Sequence, residues 1–254
     1  MAFACPKIKF DMNDKLPEVT KNLLIINVLV FLATEVMGTK GVDLTAILGL
    51  HFFKSPDFAP YQLFTYMFMH ADFSHVFFNM FALYMFGRVL ETVWGGKRFL
   101  VFYLVAGVGA ALMQEIVGLL RYNAAVADMD PQAIAMVFQE GLGALNRNMN
   151  FVVPDMARLN LILNQPTVGA SGAVYAILLG FGMLFPNERM FVFPLPFPIK
   201  AKFFVAGYAI IELFLGVYGS NDGIAHFAHL GGMVFGLLLI LYWRKTHKIG
   251  GPYV

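Results

Sequence analysis

Gly169-Ala170-Ser171-Gly172 lies within a stretch that carries no charge from Leu159 to Asn187. A serine hydroxyl is a poor nucleophile until a base takes its proton, and histidine, which titrates near neutrality, is the usual base. Two other segments hold histidines. In Met69-His70-Ala71-Asp72-Phe73-Ser74-His75-Val76-Phe77-Phe78-Asn79, His75 and Asn79 are four apart and share a helix face. In Ala225-His226-Phe227-Ala228-His229-Leu230-Gly231-Gly232, a second glycine, Gly236, follows four residues beyond Gly232. Acyl transfer also needs donors aimed at a developing oxyanion, and an imidazole N–H, an asparagine amide and a backbone N–H can all serve.

The elements that must position these groups follow from composition. Of 254 residues, 59% are hydrophobic and 13% charged, with a mean hydropathy of +0.67. Soluble domains are about a quarter charged, so the chain reads as an all-α polytopic membrane protein. A net charge of +2 gives no argument for nucleic acid, and the single cysteine, Cys5, excludes an internal disulfide framework. The first twenty residues are too polar and acidic for a secretory signal peptide, which leaves the first span as an uncleaved anchor.

Six spans are expected: Asn22 to Met37, Phe73 to Val93, Phe99 to Leu120, Val168 to Phe185, Phe203 to Tyr218, and Ile224 to Trp243. Residues 38–62 are too apolar for a solvated loop and too broken for a span, so they read as a half-submerged interfacial segment. With the termini on one side, that side holds Lys7, Lys9, Lys15, Lys21, Arg88, Lys97, Arg98, Arg189, Lys200, Lys202, Arg244, Lys245 and Lys248, 13 of the 18 Lys and Arg. The positive-inside rule then places both termini in the cytoplasm. The whole chain, 1–254, is expected to be one membrane domain, with a cytoplasmic segment 1–21, a long outer-face loop 121–165 and a cytoplasmic tail 244–254. Within the long loop, Asp130-Pro131 resembles an N-cap and first-turn proline. Ile134, Val137, Phe138, Leu142 and Leu145 follow at helical spacing, predicting an amphipathic surface helix.

In this topology spans 2, 4 and 6 all enter from the outer face. His75, Asn79, Ser171 and His229 therefore fall at a common depth, in the first turns of three helices. Gly169 and Gly172 let other backbone approach the serine, and Gly232-x-x-x-Gly236 is a close-packing motif that would press span 6 on span 4 and carry His229 to Ser171. Polar side chains inside a membrane are costly, so such a cluster marks a functional or water-filled site.

His70-x4-His75-x3-Asn79, Gly169-x-Ser171-Gly172 and Ala228-His229-x2-Gly232-x3-Gly236, in this order, resemble the rhomboid intramembrane serine proteases over roughly residues 20 to 245. The resemblance implies a six-transmembrane-helix rhomboid-like bundle in which Ser171 is the nucleophile and His229 its general base, a dyad without an aspartate. It implies an oxyanion hole lined by His75, Asn79 and the Ser171 backbone N–H, with Tyr175 packed on the His229 ring and His70 tying span 2 to the first loop. It further implies cleavage of peptide bonds in or near the transmembrane segments of membrane-protein substrates, with substrate access beside span 5 and no metal or cofactor. Tyr61-Gln62 replaces the Trp-Arg pair of some members, and the loop 121–165 is longer than in compact ones.

Other assignments follow from position. His226 lies one turn toward the surface and outside the matching motif, so it is expected to be non-catalytic; His247 belongs to the cationic tail, and Glu91 reads as a helix-end anchor. Glu212, inside span 5, must be paired, protonated or facing a cavity. A zinc protease would draw on His70, His75, His226 and His229, but no His-Glu-x-x-His occurs. A transporter would place its polar groups near mid-membrane, whereas these gather at one end. A non-catalytic rhomboid-like membrane adaptor is the alternative function. The lack of an Asn-x-Ser/Thr sequon and of appended soluble domains points to a bacterial inner membrane, with the site opening to the outer face.

Overall fold

Helix α1, Glu18–Gly38, starts with backbone N–H groups that no preceding turn can satisfy, and a side chain from another helix supplies the acceptor. Glu91 accepts from the backbone N–H of Val19 (2.9 Å) and of Thr20 (2.7 Å), and from the Thr20 hydroxyl (2.7 Å). Glu91 is thus a buried cap that pins the start of span 1 to the end of span 2. Glu91→Ala strands buried donors, and we expect it to lower stability by about 2–3 kcal/mol, read from unfolding in mixed micelles.

The computed structural model describes residues 15–191, 197–219 and 225–246. His247, much of the tail, most of the N-terminal segment and the expected start of span 6 at Ile224 lie outside these residues. After α1 come two short helices of the first loop, α2 (Leu44–Leu48) and α3 (Gln62–Thr65), and a 3-10 turn at Tyr66–Phe68. Span 2 is one continuous helix, Phe73–Trp94, built from α4 (Phe73–Ala82), a π-helical turn (Leu83–Gly87) and α5 (Arg88–Trp94). Helix α6 (Gly96–Val126) is followed by α7 (Pro131–Leu145) and α8 (Pro154–Asn164), then α9 (Ser171–Leu184). A two-stranded antiparallel ribbon, β1 (Arg189–Met190) with β2 (Ile199–Lys200), leads to α10 (Ala201–Tyr218) and α11 (His226–Lys245).

Among the described residues, five helices are long and apolar enough to cross a bilayer, α1, α4 with α5, α6, α10 and α11, and the sixth of the bundle, α9, is a shorter apolar helix. The expected fourth span begins at Ser171 rather than Val168 and has 14 residues, so it is about 21 Å long. Its short length has its cause in the first loop. Thr167 pairs with Leu50 of the first loop through two backbone hydrogen bonds (2.9 and 2.8 Å), and the Gly169 N–H donates to the Tyr66 carbonyl (3.0 Å). Gly169 has φ +131°, which no helix contains and which L side chains rarely adopt. The residues before the serine are therefore extended chain laid against the first loop, and the helix starts at the serine itself.

Helix α9 is buried on most of its surface and packs against α4, α5, α6, α10 and α11. Small residues make this possible: Ala106, Gly107, Gly109, Ala110 and Ala111 of α6 are buried, so α6, α9 and α11 approach closely. Ile25, Leu29, Leu32, Phe77, Phe81, Ile210 and Phe214 point outward from the peripheral helices, as a lipid-facing surface requires.

The long loop differs from expectation by one element. Helix α7 is present, capped by Asp130, which accepts from the Gln132 N–H (2.7 Å), with Pro131 in its first turn. It does not lie alone on the surface, because α8 folds back on it and α6 runs on to Val126. Together they enclose a small core of Ala125, Val137, Met156, Leu159 and Leu163, joined by Phe52 from the first loop. Within the first loop, Gln62 donates to the carbonyls of Ile47 and Asp57 and accepts from the N–H of His51 and Ala59, so it holds residues 47–62 together from the inside.

Candidate active site

Ser171 is the first residue of α9, half-buried, beside backbone N–H groups that the helix leaves unpaired. His229 lies in the first turn of α11, and its Nε2 stands 2.7 Å from Ser171 Oγ. The approach depends on Gly232, one turn along: a Cβ there would overlap the Gly172 carbonyl oxygen. Gly236 continues the seam, where a Cβ would meet Ala176 Cβ at 2.9 Å and the Phe102 ring at 3.1 Å. The Tyr175 ring, one turn below the serine, stacks on the His229 ring with centroids 4.2 Å apart and planes 8° from parallel.

On the opposite side of the serine stands α4. Asp72 caps it, accepting from the His75 N–H (2.8 Å) and the Ser74 hydroxyl (2.5 Å); these bonds hold the Asp72 carboxyl below its ordinary range. The cap places His75 in the first turn, where its Nδ1 accepts from the Ala71 N–H (3.3 Å). In the neutral ring the proton then sits on Nε2. That nitrogen faces the serine: a methyl group placed on Gly169 would lie 2.8 Å from His75 Nε2 and 3.4 Å from Ser171 Oγ. Asn79 is buried one turn deeper, donating to the His75 carbonyl (2.9 Å), and makes no hydrogen bond to Ser171.

His70 packs edge-on against His75, with ring centroids 5.0 Å apart, and is buried at the junction of the first loop and α4. Burial, and next the neighbouring His75, push its pKa down to about 4 from 6.5. Between those two values the unfolded chain binds a proton there that the folded chain refuses. Stability is therefore unaffected by His70 above about pH 6.5 and falls as the pH drops toward 4, by on the order of 2 kcal/mol. Unfolding at pH 7.5 and 4.5 should show wild type losing more stability over this window than His70→Gln.

Glu212 is the residue whose place the sequence left open. It is buried in α10, and its carboxylate is bonded at both oxygens. Oε1 accepts from the Tyr175 hydroxyl (2.5 Å); Oε2 lies 2.6 Å from His226 Nδ1 and 3.0 Å from His229 Nδ1. The second distance is that of a hydrogen bond, but the His229 N–H direction is off line, so this contact is close without being aligned. His226, one turn outward of His229 at the start of α11, is nevertheless buried and shares this carboxylate.

The four histidines of the zinc reading divide into two pairs, His70 with His75 and His226 with His229. Glu212, His226 and His229 bring one ligand atom each within 4.8 Å of one another, so they are the set that could hold a metal ion among the described residues. The contacts they make favour direct pairing, since Oε2 is already within hydrogen-bond distance of both ring nitrogens.

A Rhomboid domain is matched over residues 57–246. The chain is 29% identical over 233 residues to RHOMBOID-like protein 12, mitochondrial, of Arabidopsis thaliana, covering 91% of this chain and 59% of that protein. It is 30% identical over 187 residues to Rhomboid protein 1, mitochondrial, of Saccharomyces cerevisiae, covering 70% of this chain and 40% of that protein. Rhomboid protease AarA of Providencia stuartii is 25% identical over 188 residues, covering 72% of this chain and 56% of that protein. The chain thus spans roughly half the length of these relatives. Two of the three carry mitochondrial names, which lends no support to a bacterial inner membrane. Since the matched domain runs from the first loop through α11 and takes in the serine, both histidine segments and the multi-pass bundle between them, the chain belongs to the rhomboid family of integral membrane proteins.

Proposed function

We propose that the chain is an intramembrane serine endopeptidase that hydrolyses peptide bonds in or near the transmembrane segments of membrane-protein substrates. The observation that carries this reading is the 2.7 Å link between Ser171 Oγ and His229 Nε2 at the meeting point of α9 and α11. As the Ser171 oxygen bonds to the scissile carbonyl carbon, its proton passes to His229 Nε2 and the carbonyl π electrons move onto oxygen. The His75 Nε2–H, the Asn79 amide and the N–H groups at the start of α9 receive that oxyanion. Collapse breaks the C–N bond, and His229 returns the proton to the leaving amine. A water, deprotonated by the same imidazole, then releases the acyl group and restores Ser171.

Gly169 and Gly172 leave room beside the nucleophile, and Gly232 and Gly236 hold the two helices together. Residues 1–254 would act as one membrane domain with both termini on the cation-rich side, the site opening to the other face. The chemistry uses no metal, cofactor or nucleic acid.

The test is labelling of purified protein by a fluorophosphonate, with cleavage of a single-span substrate scored in parallel. Labelling of wild type that is lost in Ser171→Ala supports the reading; wild type that neither labels nor cleaves favours a membrane adaptor instead. Asn79→Ala should lower turnover by about 10²-fold or less, since other donors remain, as measured by kcat on the same substrate.

A further inference from the structure

Histidine can act as a base toward Ser171 only if its Nε2 carries the lone pair, which requires the ring proton on Nδ1. Nothing in α11 itself fixes that choice. Helix α10 supplies a group that can: Glu212 Oε2 lies 3.0 Å from His229 Nδ1, on the side of the ring away from Ser171. We propose that Glu212 is the positioning carboxylate of a Ser171–His229–Glu212 relay, selecting the His229 tautomer and stabilising the imidazolium formed when the serine proton is transferred. The inference rests on the protease reading and extends it from two residues to three.

Three features support this role over a bystander's. First, the carboxylate is held by two further partners, the Tyr175 hydroxyl on Oε1 and His226 Nδ1 on Oε2, which fix its position. Second, Tyr175 serves both partners, stacking on the His229 ring while bonding to Glu212, so ring and carboxylate are oriented by one side chain. Third, a buried carboxylate in a helix of this apolarity is costly, and an ion pair formed only during reaction would offset that cost where it counts. The off-line angle of the Nδ1 contact fits a resting state, because such bonds tighten once the ring carries its second proton. No proton moves to Glu212: His229 gains one at Nε2, keeps the one at Nδ1, and the carboxylate stays anionic throughout.

A metal centre on Glu212, His226 and His229 is the competing account. It would require both Nδ1 atoms to be unprotonated and about 2.0–2.1 Å from the ion, in place of the direct contacts that Oε2 makes.

The experiment compares wild type, Glu212→Gln and Ser171→Ala, all purified in detergent. The amide keeps size and can still bond to Tyr175, but presents an N–H to His229 and favours the wrong tautomer. Expected is a fall in kcat of about 10²–10⁴-fold with KM nearly unchanged, and a matching fall in the rate of fluorophosphonate labelling. Glu212→Asp should retain more activity than Glu212→Gln despite its shorter reach. A second readout needs no Glu212 variant: in histidine-¹⁵N-labelled Ser171→Ala, which keeps the His229–Glu212 contact, His229 should show the Nδ1–H tautomer and a strongly downfield proton. Wild type that labels while Glu212→Gln labels and cleaves equally well would overturn the relay and leave the protease standing. The Nε2–H tautomer at His229 would also overturn it, as would activity lost to a chelator and restored by Zn²⁺. Wild type that does not label at all would instead remove the protease reading itself.

Discussion

Ser171→Ala and His229→Ala are each expected to reduce peptide-bond cleavage by on the order of 10⁴-fold or more, and the double variant to be no worse than either single one. The non-additivity is the informative part. The two side chains act on one proton, so once either is gone the other has nothing left to do. Neither change should unfold the protein. Ser171 is half-buried at a helix start, where alanine is accommodated without a cavity, and the α9–α11 seam rests on glycines rather than on the imidazole. Initial rates on a single-span substrate, with thermal unfolding in detergent as the control for folding, check both points. Additive losses would mean that the 2.7 Å contact is not the reacting pair.

The second large effect belongs to a residue without a side chain. Gly232→Val must push α11 away from α9, because even the first carbon would collide with the Gly172 carbonyl, a backbone atom that cannot swing aside. His229 lies one turn from the point of collision. A displacement of about 1 Å is enough to lower turnover by about 10²-fold, and the lost seam should also destabilise the bundle by about 1–3 kcal/mol. Gly38→Ala is the matched control, since a Cβ there meets nothing within 4 Å; it should leave kcat and unfolding unchanged. If Gly232→Val kept wild-type kcat, the tight approach of α11 would not be what places the base.

Much of this site could be read from residue order because its signals are local. Ser171 and His229 sit in short motifs at helix starts, whereas the packing of Tyr175 on the His229 ring is implied by the resemblance to the rhomboid family alone. The Asp130-Pro131 start of α7 was equally plain, since a capping carboxylate and a first-turn proline act within a few residues. What escaped depended on contacts between distant segments. Hydropathy runs smoothly through Val168, Gly169 and Ala170, so nothing in their character reveals that the pairing of Leu50 with Thr167 keeps them extended and starts the helix at the serine. Glu212 stood out as a charge in a span, but a helix that is apolar all round gives no periodicity to say which way one residue faces. The pairing of His226 with Glu212 is hidden for the same reason: His226 lies one turn outward of His229 as its position indicates, but only α10 brings the carboxylate beside which it is buried. Helix α8 carries Asp155 and Arg158 on its exposed side and makes its core with α7, the end of α6 and Phe52, so its apolar face has meaning only once those distant segments are in place.

Phe52 belongs to the core of the α7–α8 hairpin, and Leu50, two residues earlier, is bridged to Thr167 on the approach to Ser171. Glu115 of α6 grips the same stretch through the Phe53 N–H at 2.8 Å. The α7–α8 hairpin is thereby joined to the peptide leading into α9 through a few residues of the first loop. Displacing the hairpin is therefore expected to shift the extended residues before Ser171, and with them the proposed nucleophile.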